Sequence, residues 1–230
     1  MVSKNAKKIE TMFSAIAPTY DLLNRLLSLG MDKRWRRTAI ESLSPNGGTY
    51  LDAATGTADL AIEIARRSGT SLIIGADFSH EMLKIGKTKT AGKNISLWRG
   101  DALNLSFKDE TFDGVTCAFG IRNFADLKAG LCEMLRVLKP GGRISILEFT
   151  APANPLIKKL YLFYFTRILP IAGKLISGHP EAYAYLPAST MDFPDRRKLA
   201  EIFIEAGFEE VAVKPLTLGI CDLITGRRPG

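Results

Sequence analysis

Three acidic residues stand at intervals in the first half of the chain, each at or near the end of a short apolar run. They are Asp52, Asp77 and Asp101. If the runs are parallel strands, their carboxyl ends meet at one edge of the sheet, where open α/β folds bind ligands. There Asp77 would accept hydrogen bonds from two ribose hydroxyls, and Asp101 one from an adenine amine. Each acid alone is also typical of a helix cap or turn, but three in series indicate a nucleoside site.

A turn of small residues follows the first run and leads directly into a helical stretch. It covers residues 53–59 and reads AATGTAD. Gly56 can adopt backbone angles that other residues avoid, Thr57 adds a hydroxyl, and a helix N-terminus presents unpaired amides. The glycine pattern of dinucleotide sites, G-x-G-x-x-G, is absent. Because Asp52 and Asp59 would repel a pyrophosphate but attract ammonium and sulfonium groups, the turn favours S-adenosylmethionine over NAD.

Arg122 and Asn123 follow a later apolar run, Gly114–Ala118, and are therefore expected at the same edge, beside the methyl group of that cofactor. An arginine is permanently charged, so it is a poor base but a good partner for an oxyanion or for an ordered water. On the residues alone, a helix cap at Asn123 and a surface ion pair at Arg122 are the alternatives.

The elements that hold these residues are predicted from hydrophobic periodicity. Short apolar runs alternate with helical stretches, which indicates right-handed crossovers and a parallel sheet covered on both faces. The predicted strands are Thr49–Ala53, Ser71–Asp77, Ile95–Arg99, Gly114–Ala118 and Arg143–Phe149. The predicted helices are Leu60–Arg67, His80–Lys89 and Leu127–Leu138, with a turn at residues 139–142.

Both ends of the chain depart from this alternation. Residues 20–43 predict one or two amphipathic helices that are broken near Gly30. Towards the C-terminus come the aromatic-rich segment Leu156–Ile176, a helix that opens at Pro194-Asp195, and the runs Phe208–Lys214 and Gly219–Thr225, which predict an antiparallel strand inserted at the end of the sheet.

The length of 230 residues and the 46% hydrophobic content predict one domain with a substantial core. Within it, residues 1–45 would form a helical cap and residues 46–150 the cofactor-binding core. Residues 151–230 would supply the substrate-side helices and the terminal strands.

Taken in order, these motifs resemble those of the class I methyltransferases. More narrowly, they resemble the demethylmenaquinone/2-polyprenyl-6-methoxybenzoquinol C-methyltransferase family, over nearly the whole chain. The glycine-rich turn and Lys139-Pro140-Gly141-Gly142 are common to many methyltransferases. The more restrictive matches are Tyr20-Asp21 with Asn24 and Trp35, the run Phe119-Gly120-Ile121-Arg122-Asn123, and Tyr183-Ala184-Tyr185-Leu186.

The resemblance implies a Rossmann-like, doubly wound α/β fold, with a mostly parallel seven-stranded sheet, an antiparallel C-terminal strand and an N-terminal helical cap. It also implies methyl transfer from S-adenosylmethionine to a ring carbon of a polyprenylated quinol. Demethylmenaquinol is the expected substrate, and benzoquinol methylation in ubiquinone biosynthesis is the alternative. The expected cofactor contacts are Thr57, Asp77, Asp101 and Ala102, beside Asp52 and Gly56 from the turn, and the expected catalytic residues are Arg122, Asn123 and Tyr20.

Some positions depart from the family pattern or stay without a role. Ala58 replaces a usual glycine, and Ala118 stands where some members have a serine that contacts the cofactor. His179 lies in a Gly-His-Pro loop, where a histidine is more often solvated than catalytic, so the base is unassigned. No metal site is expected.

Two other functions compete with this interpretation. An RNA methyltransferase would use basic residues on phosphates, but the tetrapeptide typical of amino-group methylation is absent after the fourth strand, so no nucleic-acid partner is expected. A non-catalytic scaffold would bind the cofactor without turnover.

Charge and composition bear on where the protein works. The 31 Lys and Arg exceed the 24 Asp and Glu, for a net charge of +7, and Lys33, Arg34, Arg36 and Arg37 form a cluster. The cluster suits an anionic membrane surface or simply a solvated face. Leu156–Ile176 is interrupted by charges and a proline, so it predicts a groove for the lipid tail, an interfacial helix or core packing rather than a membrane span.

The cysteines indicate the redox compartment. Cys117, Cys132 and Cys221 are odd in number and lack C-x-x-C spacing, so neither a disulfide framework nor a zinc site is expected. Together with an N-terminus unlike a secretory signal, they predict a cytoplasmic protein that could lie at the inner face of the membrane. A homo-oligomer is left open.

Overall fold

A seven-stranded sheet forms the centre of the computed structural model, which describes residues 5–69, 71–168 and 180–230. Strands β1 to β5 are parallel, and β7 lies antiparallel between β5 and β6, in the order β3-β2-β1-β4-β5-β7-β6. The predicted mostly parallel sheet with an inserted antiparallel strand is therefore confirmed. The strands are β1 Thr49–Ala53, β2 Leu72–Asp77, β3 Ile95–Arg99, β4 Phe112–Ala118, β5 Leu138–Phe149, β6 Glu209–Leu216 and β7 Cys221–Arg227.

Strands β1 and β4 are neighbours although two other strands separate them in sequence. The strand order therefore reverses between them, and such a switch point leaves a crevice at the carboxyl edge of the sheet. Leu51 in β1, Val115 in β4 and Ile146 in β5 are fully buried, as expected for central strands covered on both faces. The sequence thus places a ligand crevice between a small-residue turn and the run that follows β4.

Helices cover both faces of the sheet. Several begin at a capping side chain, among them the helices preceded by Ser79, Asp126 and Asp195, whose side chains accept from backbone amides of the first turn. The helices are α1 Ala6–Ile16, α2 Tyr20–Leu27, α3 Asp32–Leu43, α4 Asp59–Ser68, α5 His80–Thr90, α6 Leu127–Val137, α7 Pro155–Phe163, α8 Pro180–Met191 and α9 Arg196–Glu205.

The N-terminal helices form a cap that packs against the carboxyl edge of the sheet. The Ser14 hydroxyl lies 3.0 Å from that of Ser79, and Glu10 forms an ion pair with Arg99 at 3.1 Å. The predicted break near Gly30 is confirmed, since α2 ends and α3 begins on either side of it and Gly30 has φ 78°. These contacts join the cap to the strand ends that surround the crevice.

Two local features differ from the sequence prediction. Helix α1 is not predicted, although it is amphipathic, with Ile9 and Ile16 buried and Lys7 and Lys8 exposed. The turn predicted at residues 139–142 lies inside β5, where Gly141 has φ 75° and its N–H donates to the Arg228 carbonyl at 3.1 Å. The chain after β7 therefore extends the sheet past the expected turn.

Helix α6 makes its closest approach to the crevice at Gly130. A Cβ atom at this position would clash with the ring of Phe124, a buried residue that lines the crevice. We expect Gly130→Ala to lower the free energy of unfolding by about 1–3 kcal/mol, because overpacking outweighs the better helix propensity of alanine. Denaturant unfolding measures the change. Adding Phe124→Leu should restore part of the loss, whereas an unchanged midpoint for Gly130→Ala would contradict this packing.

Candidate active site

The crevice at the carboxyl edge is an open cavity of about 800 Å³, including its mouth. We call it the main cavity. It brings together residues from the cap, from the turn after β1, and from the segments that follow β2, β3 and β4. Six of the nine predicted site residues line it, namely Tyr20, Gly56, Asp77, Asp101, Ala102 and Asn123. Its apolar wall includes Ile9, Phe13, Met82, Phe119 and Phe124.

The turn after β1 is held in an unusual backbone conformation. Ala54, Gly56 and Ala58 all have positive φ, at 52°, 56° and 68°. Glycine adopts this region freely, whereas each alanine is strained there, which explains why the family pattern has glycine at position 58. Within this turn the Gly56 amide donates to Asp77 and the Ala58 amide donates to the Thr55 carbonyl.

Asp77 anchors this turn from the neighbouring strand. One of its carboxylate oxygens accepts from the Gly56 amide and the other from the Ser79 amide, both at 2.8 Å. Burial raises the pKa of Asp77 to about 6, although these backbone hydrogen bonds act in the opposite direction. Asp101 is more exposed and accepts from the Leu103 amide at 3.0 Å. Both carboxylates line the main cavity, where each oxygen can accept a further hydrogen bond.

Asp52 has a different place from the predicted one. It is fully buried beneath the turn, where it accepts from the Thr55 hydroxyl at 2.6 Å, the Ala61 amide at 3.1 Å and the Thr116 hydroxyl at 3.0 Å. Burial raises its pKa to about 6. Asp52 therefore lies off the main cavity, where its oxygens hold β1, the turn and β4 together, and its contact with the cofactor stays a prediction.

Thr57 and Asp59 also lie off the main cavity. The Thr57 hydroxyl donates to Asp21 at 2.5 Å, and the Lys89 ammonium contacts Thr57, Asp21 and Asp59. Asp59 is further approached by Arg36 at 3.7 Å. The Asp59 carboxylate, predicted to attract a cationic ligand, is thus already paired with Lys89 and approached by Arg36.

A smaller side cavity adjoins the main one beneath the turn. Its volume is about 290 Å³ including its mouth, and both cavities share Tyr20, Ala54, Gly56 and Ala118. Asp52 and Thr57 line this side cavity rather than the main one. Its remaining lining residues are Arg36, Thr55, Asp59 and Leu60.

Arg122 is neither a surface residue nor part of the cavity wall. Its guanidinium is 5% exposed and forms an ion pair with the fully buried Glu148 at 2.6 Å, while its backbone amide donates to the same carboxylate at 3.0 Å. Its Nε atom has no hydrogen-bond partner among the described residues. Glu148 thus holds the guanidinium behind the wall of the main cavity, and the predicted catalytic role of Arg122 stays a prediction.

Tyr20 and Asn123 do reach the main cavity. Burial raises the pKa of the Tyr20 phenol, and the nearby charges of Arg122 and Arg36 offset part of the rise. The Tyr185 hydroxyl donates to the Asn123 side-chain oxygen at 3.0 Å, which fixes the orientation of the amide. Sequence reasoning assigned no role to Tyr185 or Glu148. A carboxylate within the apolar run ISILEF was the available signal for Glu148.

Residues 1–228 match the ubiE/COQ5 methyltransferase family. A Geobacter sulfurreducens protein named ubiquinone/menaquinone biosynthesis C-methyltransferase UbiE is 46% identical, covering 99% of this chain and 91% of its own. A demethylmenaquinone methyltransferase of Deinococcus radiodurans is 47% identical, covering 95% and 91%.

Solved structures share the fold at lower identity. A methyltransferase of Haloferax volcanii, solved with the Trm112 activator, has a TM-score of 0.67 at 21% identity and covers 95% of this chain and 98% of its own. A methyltransferase of Methanococcus maripaludis has a TM-score of 0.66 at 18% identity, with coverage of 93% and 92%. The class I methyltransferase fold is thus confirmed, and the match over nearly every residue means that this chain belongs to the ubiE/COQ5 methyltransferase family.

Proposed function

We propose that the protein transfers a methyl group from S-adenosylmethionine to a ring carbon of a polyprenylated quinol, with demethylmenaquinol as the substrate. The observation that carries the proposal is the main cavity, whose lining combines the carboxylates of Asp77 and Asp101 with an apolar wall and the polar groups of Tyr20 and Asn123. Relatives named for menaquinone and ubiquinone biosynthesis support the same chemistry.

The main cavity fits the proposed cofactor. Asp77 would accept from the ribose hydroxyls, Asp101 from the adenine amine, and Met82 and Ala102 would pack against the base. The acidic side chains also suit a ligand with a positive sulfonium centre. When bound, this cofactor supplies an activated methyl group, so the task left to the protein is to align and activate the acceptor.

The acceptor end of the cavity would hold the quinol ring. A ring carbon becomes nucleophilic when a neighbouring hydroxyl loses its proton, so the site must favour the quinolate. Asn123, fixed by Tyr185, would donate to the ring oxygen through its amide. The Tyr20 phenol, whose raised pKa keeps it protonated at neutral pH, would donate as well. Arg122, paired with Glu148, would act behind them as a positioning residue that holds the segment carrying Asn123.

This assignment is tested by methyl transfer from labelled S-adenosylmethionine to demethylmenaquinol and to a benzoquinol, under reducing conditions. We expect the naphthoquinol to be the better substrate. Asn123→Ala should lower kcat about 100-fold with little change in the affinity for S-adenosylhomocysteine, since a donor to the oxyanion is lost. Asn46→Ala, the same change at an exposed side chain outside the cavity, is the matched control with normal turnover. Methylation of neither quinol by the parent protein would refute the proposal.

Cofactor affinity should depend on pH through Asp77. Ribose hydroxyls donate only to an ionised or free oxygen, so protonation of a carboxyl with a pKa of about 6 weakens binding. We expect the dissociation constant of S-adenosylhomocysteine to be flat above pH 7 and to rise about tenfold by pH 5.

Asp77→Asn separates this effect from other titrations. The variant should bind about 1–3 kcal/mol more weakly at pH 7.5 and should lose most of the pH dependence. Calorimetry at several pH values measures both. A variant with the parent affinity and the parent pH profile would show that Asp77 only anchors the turn.

The lipid tail of the proposed substrate would bring the protein to a membrane, and two exposed apolar rows suit contact with such a surface. On α7, Leu156, Leu160 and Phe163 are 68%, 62% and 60% exposed, whereas Tyr161 on the same helix is buried. On α2 and just after it, Leu22, Leu26 and Leu29 are exposed as well. The Tyr164 hydroxyl bonds the Leu26 carbonyl at 3.2 Å and brings the ends of the two helices together. We call these six side chains the membrane face.

A basic cleft borders the membrane face. Arg25 lies on α2 between Leu22 and Leu26 and also lines the cleft, which has seven basic and two acidic side chains. No helix in the described ranges is long and apolar enough to cross a bilayer. Within the predicted segment Leu156–Ile176, the described helical part has a packed side and an exposed apolar side. Residues 169–179, with His179, lie outside the described part. We propose that this surface docks on an anionic membrane.

Docking is tested by sedimentation with vesicles. We expect binding to phosphatidylglycerol vesicles at low salt, release at high salt and little binding to phosphatidylcholine, because counterions screen the basic cleft. Leu160→Ser with Phe163→Ser should weaken binding, whereas Ile204→Ser, at a side chain 61% exposed on α9, should not.

The contribution of the basic cleft to vesicle binding is tested with a matched pair of double variants. Lys33→Gln with Lys93→Gln removes two charges from the cleft, and Lys84→Gln with Lys128→Gln removes two from elsewhere. Equal loss in both double variants would mean that net charge alone drives adsorption and would overturn the proposed docking surface.

A further inference from the structure

The turn between β6 and β7 presents a leucine to solvent. This β6–β7 turn comprises Thr217, Leu218 and Gly219, and the Leu218 side chain is 72% exposed. Cys221, the first residue of β7, is paired with Phe149, the last residue of β5. The turn therefore lies at the carboxyl edge of the sheet, where the main cavity opens and from which the chain continues into α7.

The backbone of the β6–β7 turn is strained. Thr217 has φ 44° and Leu218 has φ 59°, in a left-handed region that residues with a side chain rarely adopt, least of all a β-branched threonine. The exposed leucine adds no burial within the fold that would compensate for this strain. Strain that the fold does not reward is typical of segments with a function, which indicates an interaction outside the chain.

Contacts on both sides fix the turn and leave its middle residue between them. The Trp35 indole N–H donates to the Thr217 hydroxyl at 2.8 Å. The Gly219 carbonyl accepts from the Thr150 hydroxyl at 3.3 Å and from the Arg196 guanidinium at 3.2 Å. The middle side chain is thus held outward by a fixed turn.

The residues that flank the turn connect it with the membrane face. Leu216 and Ile220 pack against a buried cluster that also contains Leu23 of α2 and Tyr161 of α7. The exposed apolar sides of these two helices belong to the membrane face. One apolar cluster therefore supports α2, α7 and the β6–β7 turn.

A positive charge lies beside the turn. Lys214 is exposed and stands two residues before Leu216 on β6, so both side chains are on the face of the sheet that carries this cluster. At the base of the turn, Arg196 is paired with Asp222 at 2.8 Å. An exposed leucine next to a lysine suits an anionic lipid surface, where the leucine meets apolar chains and the lysine meets headgroups.

We propose that the β6–β7 turn is a third membrane contact, in which Leu218 enters the boundary between the headgroups and the acyl chains of an anionic bilayer. This inference rests on the proposed docking of the membrane face and extends it to a separate part of the chain. Two helices alone would let the protein rock about their line of contact. A third contact fixes the tilt, so that the edge of the sheet with the main cavity faces the bilayer.

The depth of Leu218 in the bound protein provides the first test. A nitroxide label is attached to Leu218→Cys in a Cys132→Ser background, because Cys132 is exposed whereas Cys117 and Cys221 are buried. Electron paramagnetic resonance on phosphatidylglycerol vesicles then compares collisions with oxygen, which is enriched in lipid, and with a nickel complex, which stays in water. We expect the label at position 218 to lie below the lipid phosphates. The same label at Ile204→Cys, on α9, should remain in water.

The outcomes separate this contact from the docking on which it rests. If the labelled protein sediments with the vesicles while the label at position 218 stays in water, the proposal is overturned and the docking of α2 and α7 stands. If the parent protein does not bind the vesicles at all, both proposals are refuted.

Leu218→Gly separates insertion from the stability of the fold. Glycine adopts φ 59° without strain, so the Tm of this variant should equal or exceed that of the parent. Its binding to phosphatidylglycerol vesicles should nevertheless weaken about 10-fold, because an apolar side chain is removed from the interface. Leu218→Met keeps most of the apolar surface and should bind like the parent. Parent-like vesicle binding by Leu218→Gly would contradict the insertion.

Discussion

The structure depends on how the turn after β1 is tied to the edge of the sheet by two buried carboxylates. Asp77 receives the Gly56 amide from the side of β2, and Asp52 receives Thr55 and Ala61 from below and Thr116 from β4. These hydrogen bonds hold the turn against the edge of the sheet and so keep the crevice at the switch point open. The position of α4, the left-handed backbone at Ala54 and Ala58, and the side cavity all follow from these contacts.

Burying two carboxylates beside the turn lowers the free energy of unfolding, and a bound ligand can offset part of this loss. Both acids have pKa values of about 6 against a usual 3.8, which corresponds to roughly 3 kcal/mol each at neutral pH. Because the raised pKa means that the folded state binds the proton more tightly, this destabilisation appears as the pH rises from about 4 through 6. Asp52 is fully buried in the protein, so its destabilisation remains when a ligand binds. Asp77 lines the main cavity, where hydrogen bonds from ligand hydroxyls can offset its destabilisation.

Most strands and helices between residues 49 and 149 were predictable from sequence because each depends on local pattern, whereas helix α1 and the roles of single residues were not. An acid after a strand looks the same whether it faces a ligand, as Asp77 does, or the core, as Asp52 does. Arg122 is turned inward by Glu148, which is distant in sequence and meets it only through the pairing of β4 with β5. Arg36 belongs to a basic run that resembles a solvated surface, yet Trp35, Ala39 and Ile40 around it are buried.

Two buried arginines also decide how the acceptor end can act. Phe119 and Phe149 stack at 4.5 Å, with Arg36 near the first ring and Arg122 at 5.7 Å from the second. Each guanidinium is paired with a buried carboxylate, Arg36 with Asp32 and Arg122 with Glu148, so the aromatic wall is backed by ion pairs that carry no net charge. In the proposed reaction the quinolate loses its charge as its carbon takes up the methyl group, so a group that stabilises the oxyanion acts mainly on the proton equilibrium of the ring hydroxyl. Such a group must reach the oxygen itself, as Asn123 can from the cavity wall. Arg122 would then act through position, because its backbone amide and its guanidinium both donate to Glu148 and hold the segment that carries Asn123.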